Sequence, residues 1–254
     1  MSDATSISSG IIRKGVRRLL TLDDWRTHAP PKADVQWKDG RSAKESARSW
    51  INAAPDLPPE IADVLRSCPD IDTLRSWQAE PEAGVSFDDY RGPANIDLLL
   101  VGEDKVGPLV IAIEAKADEP FGESVKKVLS VATREREKRS QSKRVDRIEQ
   151  LATQLGLSLD QDDVLALRYQ LLTVTAAVLS EARRRTAQRA MVIVHEFVTS
   201  QTKVDKRGRN ARDLDRFLQT AFGCADRLRP GSAVGPFEVK GRPKLYFGKA
   251  QTTV

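Results

Sequence analysis

The sequence has few of the residues that cross-link or metallate a small protein. Among its 254 residues there are two cysteines, Cys68 and Cys224, and two histidines, with no CxxC pair and no Cys/His cluster. These counts argue against a disulfide scaffold and against a zinc site. They also fit a reducing compartment, so we expect a cytoplasmic location.

Long apolar runs are missing as well. The longest, Leu109–Ile113 and Met191–His195, are far too short to cross a bilayer. The first ten residues, MSDATSISSG, lack the apolar centre of a secretory signal. We therefore expect no membrane partner. Hydrophobic residues make up 40% and charged residues 30%, which is typical of a folded globular chain.

The charge and length suggest one basic domain. The net charge of +5 is compatible with a polyanionic partner without proving one. No internal repeat is visible, and we predict an N-terminal arm over residues 1–41 and a single α/β domain over 42–254. Within the arm we expect irregular backbone over residues 1–40. Its basic segment Ile11–Leu20 is interpreted as a docked first helix, with an amphipathic targeting helix as the alternative.

The pattern beyond residue 41 alternates helices and strands. Ser42 and Glu45 have the spacing of a capping box, and an α/β sandwich with a mixed sheet is the predicted fold class. The expected helices are 42–51, 60–67, a long region over 124–185 interrupted near 156–158, and 211–222. The expected strands are 85–90, 96–101, 109–116, 189–198 and 244–247.

The strands 96–101 and 109–116 are predicted to form a β-hairpin around the turn sequence GEDKVGP. Side chains alternate between the faces of a strand, so Glu114 and Lys116 share one face. If paired residues sum to 210 or 211, Asp97 lies opposite residue 113 or 114. Facing carboxylates destabilise a strand pair, and a divalent cation would compensate that repulsion.

These residues resemble the active-site motif of the PD-(D/E)XK nuclease superfamily. Asp97 is followed after sixteen residues by Glu114-Ala115-Lys116, and Ile96 stands where a proline often precedes the aspartate. The resemblance spans roughly residues 42–200 and implies a restriction-endonuclease-like αβββαβ core. The string EAKADEPFG is similar to an uncharacterised bacterial branch of this fold, which implies no particular substrate.

The resemblance also implies roles for individual residues. Asp97, Glu114 and the backbone carbonyl of Ala115 would bind Mg²⁺ or Mn²⁺, and Lys116 would activate water or stabilise the transition state. Many members add a carboxylate from the first core helix. Glu45 is the candidate for that position and Glu60 the alternative, although a capping box and a helix dipole also explain acids at these two positions.

For several further residues near the motif, a structural role explains the residue at least as well as a role in the site. Asp118 and Glu119 are interpreted as a polar helix start, and His195 as a core histidine. Arg168, Tyr169 and Gln170 are expected to pack, because their spacing differs from the Gln/Tyr pair that some members use.

The segment 203–212, KVDKRGRNAR, is predicted to be a flexible basic loop that contacts nucleic acid.

Three functions follow from the sequence. The first is a metal-dependent nuclease that hydrolyses nucleic acid, with DNA as the expected partner. The second is a non-catalytic nucleic-acid-binding or interaction module on the same fold, because a fold does not determine a function. The third is a metal-dependent hydrolase of another phosphate ester. A homodimer is compatible with the sequence, which leaves the oligomeric state open.

Overall fold

The two apolar segments at the middle of the chain lie at the centre of a mixed β-sheet in the computed structural model, which describes residues 9–254. The strands are β1 Ser9–Lys14, β2 Arg17–Arg18, β3 Ser76–Val85, β4 Ala94–Asp104, β5 Gly107–Lys116, β6 Arg189–Val198, β7 Ser232–Phe237 and β8 Lys244–Thr253. The helices are α1 Leu22–His28, α2 Ser42–Ala53, α3 Pro59–Arg66, α4 Val125–Lys138, α5 Arg144–Gln154, α6 Asp162–Leu165, α7 Tyr169–Arg184 and α8 Val204–Phe222, with a 3-10 turn at Asp34–Gln36.

The directions of the strands distinguish the two ends of the sheet, which are named below. Its eight strands lie in the order β2-β1-β3-β4-β5-β6-β8-β7. Strands β1, β3, β5, β6 and β8 run in one direction, and β4 is antiparallel to both of its neighbours. We call the end at which these five parallel strands finish the carboxyl edge, and the opposite end the amino edge. The prediction of an α/β fold with a mixed sheet flanked by helices is confirmed.

Helices cover both faces of the sheet. One core forms where α4, α5, α7 and α8 pack on the first face. A second core, which contains Trp25, Trp50 and Ile61, forms where α1, α2 and α3 pack on the other face. Nine of the ten residues of β6 are buried because this strand is covered on both faces. Among the described residues, no helix has the combined length and apolar character needed to cross a membrane.

The central hairpin has one of the two predicted registers. Leu98 pairs with Ile113 and Val101 with Val110, so paired residues sum to 211. The two-residue turn Lys105-Val106 closes the hairpin between the paired residues Asp104 and Gly107. This register, continued by one residue, brings Asp97 level with Glu114.

The N-terminal region differs from the prediction of irregular backbone. Strand β1 joins the main sheet beside β3, and the prediction of a helix over Ile11–Leu20 is wrong. Ile12 and Leu19 are buried in the second core, and hydrogen bonds to β3 satisfy the backbone of β1. The boundary at residue 41 stays a prediction, although the segment before it supplies both a strand and core side chains.

Two further elements lie outside their predicted bounds. The strand predicted at 85–90 is β3, which ends at Val85, where the prediction began. The segment 203–212 is not a flexible loop, because α8 begins at Val204. Its buried residues Asn210, Leu214 and Phe217 follow helical spacing, and packing of this face outweighs the low helix propensity of Gly208.

Ser42 does not cap α2 as predicted. Arg41 occupies the capping position and makes no side-chain cap hydrogen bond. The Ser42 hydroxyl instead donates to Oε1 of Glu119, at 3.2 Å. The sequence motif is present, but a contact with the turn after β5 replaces the local one.

Candidate active site

The three motif residues meet at the carboxyl edge. Lys116 and Glu114 form an ion pair at the end of β5, and both are almost completely buried. Oδ2 of Asp97 accepts a hydrogen bond from the backbone N–H of Ala115 at 2.9 Å. Alternation along β5 and the hairpin register together account for this convergence.

A cavity of about 620 Å³ lies over these residues. Asp97 is partly exposed, whereas Glu114 and Lys116 form the cavity floor. The Lys116 ammonium lies 5.3 Å from the centre of the Phe121 ring, within reach of a cation–π contact. The walls are mixed in character and include Lys32, Glu82, Phe87, Phe121, Glu123, Arg147, Tyr169 and Gln170.

Burial and neighbouring charges shift the pKa values of Glu114 and Lys116. Burial raises the pKa of Glu114, and the nearby Asp97 carboxylate raises it further. Burial opposes the charged form of Lys116, but the carboxylates of Glu114 and Asp97 outweigh it and raise the pKa of this lysine. The site therefore holds Lys116 as a cation and disfavours a full negative charge on Glu114.

Gln170 is a site residue for which sequence reasoning expected packing. It lies in the first turn of α7, and its Nε2 donates to Oε1 of Glu114 at 2.6 Å. Tyr169 also lines the cavity, and burial raises its pKa. Arg168 points elsewhere and binds Asp213 at 2.8 Å. Only the packing of α7 across the sheet brings Gln170 to Glu114, so the spacing in the sequence carries no signal for the contact.

Glu82 is a third carboxylate that sequence reasoning missed. The β3–β4 register pairs Pro81 with Leu98 and Ala83 with Ile96, which places Glu82 level with Asp97. Its φ of 47° marks a break in the strand, and its Oε2 accepts from Nδ2 of Asn95 at 2.5 Å. Burial raises the pKa of Glu82, and Asp97 adds to this shift. Asp97 is therefore flanked by carboxylates from the strands on both sides of it, Glu82 on β3 and Glu114 on β5.

The two acids proposed from the helices lie away from the cavity. Oε1 of Glu45 accepts the backbone N–H of Gly40 at 2.7 Å, and its other oxygen binds Arg48. Oε1 of Glu60 accepts the hydroxyl of Thr252 at 2.6 Å. Neither residue lines the cavity with Asp97 and Glu114.

His195 is buried beside Ala115 in the sheet and also lies off the cavity. Its Nε2 lies 2.8 Å from Oγ1 of Thr252, and burial lowers its pKa to about 3. The imidazole is therefore neutral at physiological pH. This environment fits the interpretation of His195 as a core residue.

The turn after β5 ties the site to two helices. Asp118 binds Arg41 at 2.6 Å and Lys206 at 2.8 Å. The carbonyl of Glu119 accepts from Nδ2 of Asn210 at 2.8 Å. The first turns of α8 thus lie next to the motif, although their basic side chains are not in the cavity wall.

The donor chemistry of the site suits a hard divalent cation without forming a complete cage. Within residues 9–254, no group of three or more His, Cys, Asp or Glu side chains is arranged to hold a metal ion. Mg²⁺, however, commonly binds through one or two carboxylates and keeps several waters. Asp97 and Glu114 offer such a pair. Burial, and after it the Asp97 carboxylate, raises the pKa of Glu114, and a bound cation would favour its ionised form.

Comparison with known proteins places the chain in a family. A family profile described as a domain of unknown function, DUF6946, matches residues 18–254. The chain belongs to this family. The match covers β3 to β8 and all of the cavity residues, so the site is part of the DUF6946 domain. No curated protein and no solved structure matches the chain.

Proposed function

We propose that this DUF6946 protein is a Mg²⁺- or Mn²⁺-dependent nuclease that hydrolyses DNA phosphodiester bonds. The observation that carries the proposal is the convergence of Asp97, Glu114 and Lys116 on one cavity floor, with two of the three almost fully buried. The order of α2, α3, β3–β5, α4–α7 and β6 supports a restriction-endonuclease-like core as the finer fold assignment.

The ion would be held by the carboxylates of Asp97 and Glu114 and by the backbone carbonyl of Ala115. A bound divalent cation would supply Lewis acidity toward a phosphate oxygen and lower the pKa of a bound water. Gln170 donates to Glu114 and so holds this carboxylate in one orientation. Glu82 lies level with Asp97 and offers a further carboxylate beside the ion.

The role of Lys116 follows from its charge state. Because neighbouring carboxylates raise its pKa, Lys116 carries a proton at neutral pH and cannot accept one from water. Its ammonium instead donates hydrogen bonds to a phosphate oxygen. Such a fixed charge gains most where negative charge develops in the transition state. Contact with the phosphate requires Nζ to exchange its bond to Glu114 for one to substrate.

The test is cleavage of plasmid, linear and single-stranded DNA by the purified protein with Mn²⁺. Parent protein should cleave at least one of these substrates, and chelator should stop the reaction. Lys116→Ala should lower turnover by about 100-fold or more while leaving DNA affinity nearly intact. The matched control is Lys249→Ala, which removes another buried lysine that pairs with Glu196 at 3.1 Å.

One observation favours a second function, a non-catalytic nucleic-acid-binding module. Lys116 forms its ion pair directly with Glu114, and the described residues offer no preformed metal cage. On this hypothesis the pair is structural. DNA binding without cleavage under every metal condition would support it, and cleavage that is lost in Lys116→Ala would exclude it. A phosphate-monoester substrate cleaved in place of DNA would favour a hydrolase of other phosphate esters.

A further inference from the structure

A basic hairpin at one end of the sheet has no role in the site described above. Residues 13–18, RKGVRR, form the end of β1, a turn and β2, and we call them the β1–β2 hairpin. Arg17 and Arg18 are exposed, and Val16 at the tip is 100% exposed. The hairpin therefore presents an apolar tip flanked by basic side chains.

The turn of the hairpin lies at the carboxyl edge, because the register of β1 on β3, continued from Ile12 and Ala79, brings Gly15 level with Glu82. Nζ of Lys14 donates to the carbonyls of Pro81 and Glu82, at 2.9 and 2.7 Å. The last residue of β1 is therefore bonded to the strand break that positions Glu82 beside Asp97. Strands lie about 4.8 Å apart, so β1 runs about 14 Å from β5, three strands away.

Lys14 pairs with Glu80 at 3.2 Å, but the three arginines of the hairpin have no acidic partner in the described part of the chain. No carboxylate among residues 9–254 forms an ion pair with Arg13, Arg17 or Arg18. The contact of Arg17 is with the ring of His28, at 3.0 Å.

A second basic surface lies across the site. The first turns of α8 follow β6, which is about 19 Å from β1, four strand spacings away. These turns carry Lys203, Lys206, Arg207 and Arg209. Basic groups thus stand on both sides of an acidic centre along one edge, an arrangement that suits a polyanion passing over the centre.

Resting on the proposed nuclease function, we propose that the β1–β2 hairpin is a contact for duplex DNA, in which Arg17 and Arg18 bind phosphates and Val16 enters a groove. Arginine contacts to phosphates position a protein on DNA. Apolar side chains beside basic ones recur where proteins insert into a groove. This arrangement gives a role both to the exposed valine and to the arginines, which form no ion pair within residues 9–254.

The experiment measures binding of the full chain to a duplex about three helical turns long, in chelator, over a series of salt concentrations. Arg17→Ala/Arg18→Ala should bind about tenfold more weakly, and its slope of log affinity against log salt should be shallower by about 1.8, for two lost phosphate contacts. The matched control is Arg75→Ala/Lys105→Ala, which removes two exposed charges at the amino edge. It should bind like the parent protein.

A second matched pair tests the valine. Val16 and Val106 are both exposed at hairpin tips, at 100% and 62%, but on opposite edges. Val16→Ser should weaken duplex binding severalfold without changing the salt slope, because no phosphate contact is lost. Val106→Ser should bind like the parent. Melting temperatures of all variants should match that of the parent, since each change is at an exposed side chain.

The outcomes separate this proposal from the proposed function. The parent protein could bind duplex with a steep salt slope while the arginine variant keeps the same slope and affinity. That result would overturn the hairpin contact and leave the nuclease proposal standing. Loss of binding in the variant, combined with no cleavage by the parent, supports the contact and overturns the nuclease. Absence of duplex binding by the parent overturns the hairpin contact, and cleavage of single-stranded DNA then decides whether the nuclease proposal stands. Loss of binding to phosphatidylserine vesicles with unchanged duplex binding would assign the hairpin to a membrane surface instead.

Discussion

The two edges of the sheet each bury a carboxylate beside a cation, with opposite electrostatic results. At the amino edge, Asp104 accepts two bonds from Arg189, at 2.6 and 2.7 Å, and three from backbone N–H groups. Burial opposes its ionisation, but these bonds outweigh it and lower the pKa of Asp104 to about 2. At the carboxyl edge, Glu114 has one lysine and one glutamine as donors and another carboxylate nearby, and its pKa is raised.

The difference lies in how many donors each carboxylate receives. Asp104 is matched by a bidentate guanidinium and by a turn whose N–H groups point at it, so its charge is satisfied within the fold. Glu114 lacks such donors and shares its surroundings with Asp97. Buried charge that the fold itself neutralises is structural, whereas buried charge left in excess indicates a site that an external cation or substrate completes.

The largest expected effect is the loss of stability in Asp104→Asn. The substitution leaves the Arg189 guanidinium buried without its counter-charge, which should cost about 3 kcal/mol of unfolding free energy at neutral pH. Because the folded pKa of Asp104 is depressed, its contribution is present above its ordinary pKa of 3.8 and is lost as pH falls through about 2. The gap between parent and variant in urea titrations should therefore shrink in acid.

The double variant Asp104→Asn/Arg189→Met is the control for this loss. It removes the uncompensated cation and should recover part of the lost stability. A loss below about 0.5 kcal/mol in the single variant, as at an unremarkable surface site, would contradict the claim that the amino edge is a charge-matched structural pair.

The second prediction is an opposite pH trend in Glu114→Gln. The folded pKa of Glu114 lies above its ordinary value of 4.5, so the unfolded chain releases this proton first as pH rises. The parent therefore loses stability from about that pH upward, and glutamine does not titrate. Unfolding free energies should be measured at a series of pH values. As pH rises, the stability of the variant relative to the parent should increase by at least about 1.4 kcal/mol, which is the equivalent of one pKa unit.

Glu181→Gln provides the matched control for that trend. Glu181 is also buried, but its bonds to Arg184 and Arg185 outweigh burial and lower its pKa. This variant should lose stability relative to the parent as pH rises through the acid range. Parallel trends in the two variants would show that the carboxyl edge carries no excess negative charge.

The smallest expected effect is the change in melting temperature of Asp97→Asn, and the sign of this change should depend on whether metal is present. In chelator, removal of one of two facing carboxylates should leave the melting temperature equal to that of the parent or a few degrees higher, for a repulsion of about 1 kcal/mol. With Mn²⁺ the parent alone should gain ligand stabilisation, so the order should reverse or the gap close. A loss that is equal with and without metal would instead make Asp97 a structural acceptor for the Ala115 N–H.

The central hairpin and the placing of its motif residues could be predicted, because they depend on the pattern of residues close together in the sequence. Alternation along β5 places Glu114 and Lys116 on one face, and a two-residue turn sets the register that brings Asp97 level with them. Glu82 could not be found this way, because β3 contains Pro81, Gly84 and two glutamates, all residues of low strand propensity. Its place opposite Asp97 depends on the register between β3 and β4.

The sequence predicts the second half of α8, at 211–222, but not its first turns, for a related reason. Its first turns are basic and contain Gly208, so local propensity is low there. Burial of Leu214, Phe217 and Leu218 stabilises the helix, and this burial exists only once the sheet has formed. Packing also brings Gln170 to Glu114. Contacts that depend on tertiary packing leave little trace in a single sequence.

The turn at Lys105-Val106 has a practical consequence for labelling. Both side chains are exposed and lie at the amino edge, away from the cavity. The N–H groups of Val106 and Gly107 nevertheless bind Asp104, at 2.8 and 3.0 Å. A reporter attached through Val106→Cys would leave these bonds in place and would test the proposed DNA binding without obstructing the cavity. A tag inserted between the same residues would separate the two donors from Asp104, so this tip accepts a new side chain but not a longer loop.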